Sequence, residues 1–175
     1  ADSGMDVLTH ALGARVSLGA GDFAGAPAGE AVELVFAHLV RCYTHGDDRD
    51  ARGHMHNASC LAAMAFDNVG LGITHSLAHA LGGRFPIAHG GLNAMLLPHV
   101  VTFNAERSAA AAARYARLGR FVAPSATGAA AVTSLVAGIR RLNHQLGIPE
   151  LIVEEAVAQD EFREAVGGMA ASALE

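Results

Sequence analysis

Ile73-Thr74-His75-Ser76-Leu77-Ala78-His79-Ala80-Leu81-Gly82-Gly83 carries two histidines four residues apart. That spacing puts both rings on one face of a helix. The glycine pair is the expected stop, so the stretch predicts a short helix over 73–81. Upstream, Asp48 is the expected N-cap of a helix reaching residue 68. Residues 28–43 form another, with Val32, Val35, Phe36 and Leu39 on one stripe, and 19–27 read as a Gly/Ala-rich loop. Residues 5–17 make the first helix, with Leu8, Leu12 and Val16 recurring every four residues. Downstream, a helix opens at Gly90 or Gly91 and runs through Leu97, where Pro98 meets its last turn. Helices over 109–121, 128–146, 151–158 and 160–173 complete the chain, the second of them stopped by Gly147 with Pro149 behind it. No run alternates with a period of two residues over a useful length. The expected class is all-α, with residues 1–175 as one helical domain.

Composition narrows the function. The chain has 175 residues, 51% hydrophobic and 17% charged, with a net charge of −5. That is the balance of a globular protein with a real core, and not of a nucleic-acid binder. All 12 basic residues are arginine, which excludes a Schiff-base lysine and a P-loop lysine. No strand–GxGxxG–helix unit occurs, so no Rossmann fingerprint holds a nucleotide here. Cys42 and Cys60 fit neither a zinc ribbon nor a disulfide scaffold, and a reducing cytoplasm is the expected compartment. No unbroken apolar run is long enough to span a bilayer, so no membrane partner is expected. The chain opens at Ala1 without an initiator methionine, and a piece of a longer protein is the expectation.

Ten histidines give the chain its chemistry. Asp6 and His10 stand four apart on the first helix, as His75 and His79 do later, and His89 follows at a helix start. One carboxylate with several imidazoles suits zinc or ferrous iron. Spacing alone leaves two readings open for each pair: a ligand set, or a cap and a packing pair. His-Ser-Leu-Ala-His also lacks the glutamate of a metalloprotease helix. His54 and His56 are expected at the surface, His38, His45 and His144 as solvated or capping residues, and Arg114, Arg117 and Arg120 on a solvated helix face; His99, which follows Pro98, is assigned no role.

The local wording goes further. Gly4-Met5-Asp6-Val7-Leu8-Thr9-His10-Ala11-Leu12 resembles the first ligand motif of the iron-containing (group III) alcohol dehydrogenases. Residues 65–72, then His75 to Gly83, Phe85, His89-Gly90, Asn93-Ala94, Leu96-Leu97-Pro98 and Phe103-Asn104 are similar to that family's long signature, in order. By this resemblance Asp6, His10, His75 and His89 match the metal ligands. His79 matches a histidine off the metal, beside the nicotinamide and substrate, which would relay the released proton. Phe66 matches an aromatic of the substrate pocket. Ala88 stands where the family usually has proline, and Gly13 and Arg15 where it usually has an acidic residue and an aromatic.

The resemblance implies a divalent cation, Fe2+ first and Zn2+ second. It also implies NAD(P) held by a preceding α/β domain, and a small primary alcohol or aldehyde as substrate. Such a cation would lower the pKa of the substrate hydroxyl. The chain by itself is then expected to show no turnover, and its uncovered inter-domain face to favour a homo-oligomer. Two alternatives stay open: a glycerol dehydrogenase-type relative, and a helical metal-binding module without catalysis.

Overall fold

Several helix ends have a local cause. The structure, a computed structural model, describes residues 1–155 and 157–174. Asp48 accepts from the backbone N–H of Ala51 at 3.0 Å and opens α3 (Arg49–Val69). Gly70, at φ 79°, ends it, a left-handed conformation that only glycine takes up cheaply. Ser108 closes α5 (His89–Arg107) and caps α6 (Ala109–Val122) by accepting from Ala111 N at 3.2 Å. Ser108→Ala removes that cap, and the expected cost is about 1 kcal/mol. A thermal melt checks it, with Tm falling by about 2–4 °C. The remaining elements are α1 (Asp2–Val16), α2 (Asp22–Thr44), α4 (Ile73–Arg84), α7 (Gly128–Gln145), a 3-10 turn (Ile152–Glu155) and α8 (Gln159–Ser172). No strand occurs among the described residues.

Helix α1 is the hub, packing against α2, α3, α4, α5 and α6. Its face of Met5, Leu8 and Leu12 is fully buried. Each such side chain contributes about 1.5–3 kcal/mol. Helix α2 has the length and apolar content to cross a membrane, but lays Val32, Val35 and Leu39 into the core between α1 and α3. The starts of α1 and α5 nearly touch, because Gly90 has no side chain. A Cβ there would lie 2.4 Å from the carbonyl oxygen of Asp2. That contact carries His89 toward Asp6.

Proline and glycine do not stop the chain where expected. Helix α2 begins at Asp22 and takes in Pro27, so most of the expected loop is helical. Pro27 is the sixth residue of the helix, so α2 runs on without an N–H to meet the Phe23 carbonyl one turn back. Helix α4 runs through Gly82-Gly83 to Arg84, and α5 continues past Pro98 for two further turns. Pro98 offers no N–H to the carbonyl of Ala94 one turn back. The buried side chain of Asn143, on α7, fills that role, its Nδ2 donating to Ala94 O at 2.7 Å. The helix expected over 151–158 is instead the 3-10 turn, and position 156 lies outside the described residues.

Arg114 is no solvated residue. Its guanidinium donates to the carbonyls of Ser17 (2.9 Å), Arg15 (3.4 Å) and Ala20 (3.4 Å), a cation closing the C-terminal end of α1. His38 and His54 stack across α2 and α3, ring centroids 4.1 Å apart.

Candidate metal centre

Three helices aim side chains at one point. Asp6 and His10 come from successive turns of α1, His75 from the first turn of α4, and His89 from the first residue of α5. One ligand atom each from Asp6, His10 and His75 lie within 4.8 Å of one another. His89 stands outside that trio, yet its Nε2 is 3.5 Å from Asp6 Oδ1. His75 Nε2 lies 3.4 Å from the same oxygen. His10 Nδ1 is 3.8 Å from Asp6 Oδ2. Asp6 is therefore the hub of the cluster.

The donor chemistry suits a cation. His10 Nδ1 contacts the backbone oxygen of Asp6 at 2.9 Å. A carbonyl only accepts, so Nδ1 carries the proton and Nε2 keeps its lone pair free. His75 is 2% exposed, and its Nε2 is buried without a hydrogen-bond partner. An orphaned polar atom of that kind costs about 1–3 kcal/mol unless something else meets it. Burial, and then neighbouring His75, hold the His10 imidazole below its ordinary pKa and so in the neutral form. Burial works the other way on Asp6. The proximity of His75 and His10, the Asn93 amide and His89 outweigh it and hold the carboxyl below its usual range. At neutral pH this leaves a carboxylate and a neutral imidazole, the forms that bind metals.

The other two expected residues border the cluster. Phe66, on α3, stacks on the His10 ring with centroids 4.3 Å apart. His79 is exposed one turn beyond His75; its ring stacks on His89 at 5.1 Å and meets His75 edge-on at 6.2 Å. One participant had no functional reading in the sequence. Asn93, fully buried on α5, donates from Nδ2 to Asp6 Oδ1 at 2.7 Å and lies 3.0 Å from His89 Nε2. Its signals in the sequence are its place in the signature stretch, as Asn93-Ala94, and the four-residue spacing from His89.

Such a cluster, one carboxylate and three imidazoles gathered from three helices, is a donor set that would suit a divalent cation. The chain belongs to the iron-containing alcohol dehydrogenases: it matches the family described as "Fe-containing alcohol dehydrogenase family, C-terminal" over residues 1–175. It is similar to the 1-propanol dehydrogenase of Citrobacter freundii, 48% identical over 152 residues, which covers 85% of this chain and 41% of that protein. The Salmonella typhimurium 1-propanol dehydrogenase is 44% identical, with 99% of this chain and 48% of the relative covered. A solved 1,3-propanediol oxidoreductase superposes with a TM-score of 0.89 at 34% identity, covering 99% of this chain and 44% of that one. An iron-containing alcohol dehydrogenase from Thermococcus thioreducens gives 0.87 at 32% identity, with 98% and 43% covered. The chain spans less than half the length of these relatives.

Proposed function

We propose that residues 1–175 form the metal-binding half of an alcohol dehydrogenase that interconverts small primary alcohols and aldehydes with NAD(P). The observation that carries this is the convergence of Asp6, His10 and His75 around a buried, unpartnered His75 Nε2. Together with His89 they would hold the cation, Fe2+ first and Zn2+ as the other ion such donors accept. When bound, it supplies the Lewis acidity that lowers the pKa of a substrate hydroxyl.

The chain's own side chains do the rest. His10, tied through Nδ1 to the backbone of Asp6, offers Nε2 in a fixed direction. Phe66, flat against His10, gives the alkyl part of a substrate an apolar wall. His79, exposed beside His89, accepts the released proton and passes it to solvent. The nicotinamide nucleotide is held by a separate α/β domain, which the longer relatives leave room for. A reducing cytoplasm, which keeps Cys42 and Cys60 as thiols, and a homo-oligomeric state belong to the same reading.

Metal content tests it. After loading and exhaustive dialysis, the protein is expected to keep about one equivalent of Fe2+ or Zn2+, and His75→Ala almost none. Alcohol-dependent NAD(P)H formation, measured with the nucleotide-binding domain present, should disappear in the same variant. Undiminished metal in His75→Ala overturns the site. Full metal loss with unchanged turnover overturns the catalytic role.

A further inference from the structure

Asn93 is the amide side chain built into the cluster. It is 0% exposed, and it joins residues from two helices: Asp6 on α1 and His89 on α5. The amide orientation is fixed by chemistry. The atom 2.7 Å from the Asp6 carboxylate must be a donor, so it is Nδ2 and not the oxygen. An amide nitrogen has no lone pair to offer, so its 3.0 Å contact with His89 is a hydrogen bond only when His89 Nε2 accepts. One NH2 group thus spends both hydrogens on two proposed ligand atoms. Its carbonyl Oδ1, meanwhile, is buried without a partner.

We propose that Asn93 is a positioning residue for the metal centre, which holds Asp6 Oδ1 and the His89 Nε2 lone pair converged before a cation arrives. The inference rests on the metal-centre reading of Asp6, His10, His75 and His89. In the metal-free protein, Nδ2 is the donor that the otherwise repelling carboxylate and imidazole lone pairs share. Once a cation takes the His89 lone pair, the bond to Asp6 remains and continues to orient the carboxylate. Loss of such an outer hydrogen-bond partner costs about 10–100-fold in metal affinity.

The variant to compare is Asn93→Leu, which keeps the number and branching of the heavy atoms and removes both the donor and the orphaned acceptor. Co2+ binding is followed by titration and by its visible d–d spectrum. The expected result is an affinity about 10–100-fold below wild type with shifted bands, with the metal-free melt recorded beside it. A residue with a purely structural role would move the melt and leave the spectrum alone. Nitrogen-15 NMR of metal-free wild type at mildly alkaline pH reads the same bond without a variant: His89 should be the Nδ1–H tautomer. That measurement decides the matter should Asn93→Leu not fold. Wild-type affinity and spectrum in a folded Asn93→Leu, or an Nε2–H tautomer at His89, overturn the role of Asn93 while leaving the metal centre standing. Wild-type protein that takes up no Co2+ overturns the metal centre, and this inference with it.

Discussion

Asp6→Asn is expected to fold and to lose its metal. The substitution keeps the shape of the side chain, and its remaining Oδ1 can still accept from Asn93. What goes is the charge, and Asp6 is the only carboxylate among the four proposed ligands. Its two oxygens face His75 at 3.4 Å, His89 at 3.5 Å and His10 at 3.8 Å. Three imidazoles and a neutral amide cannot offset a divalent charge as one carboxylate and three imidazoles do. The affinity should fall by more than the roughly 100-fold upper figure for loss of an outer hydrogen-bond partner. Inductively coupled plasma analysis after dialysis checks this, with circular dichroism to show that the helices persist. Stoichiometric metal in a folded Asp6→Asn protein would remove Asp6 from the centre.

The parts of this site legible in the sequence were those with local geometry. A four-residue spacing on a helix is fixed by 3.6 residues per turn, so the pairing of Asp6 with His10 could be read directly. His75 and His79 share that spacing, yet only His75 turns into the cluster, and His79 is left exposed beside His89. Periodicity alone could not choose between them. Asn93 was harder still, because an amide on an apolar helix is ambiguous until its partner is known. That partner, Asp6, is 87 residues away.

Boundaries failed for a related reason. Proline and glycine were read as stops because each removes something from a helix, a donor or a restricted backbone. Whether the loss ends the helix depends on what the fold returns. Gly82 and Gly83 lie inside α4 because a helix is only weakened, not broken, by glycine, at about 1 kcal/mol each. The spacing of Arg114 predicts a solvated side chain, but the free carbonyls at the end of α1 lie within its reach. In each case the missing information was tertiary.

Pro98 and Asn143 make that dependence measurable. Asn143→Ala should cost about 2–3 kcal/mol, because the Ala94 carbonyl would be buried without the donor that replaces the absent Pro98 N–H. In Tm this is about 4–12 °C for a chain of this size. Pro98→Ala supplies a backbone N–H where the ring now stands, and α5 can close its own bond to Ala94. In that background the same Asn143→Ala change should cost less by about 1–2 kcal/mol, the signature of two residues serving one acceptor. Chemical denaturation of wild type, the two single variants and the double variant gives the coupling directly. Equal costs in both backgrounds would mean that Asn143 stabilises α7 for reasons unrelated to the proline. Neither residue supplies a proposed ligand, so the folded fraction of every variant should keep its metal. A loss of metal in Asn143→Ala would show that the path of α5 beyond Pro98 is what holds His89 and Asn93 in place at its start.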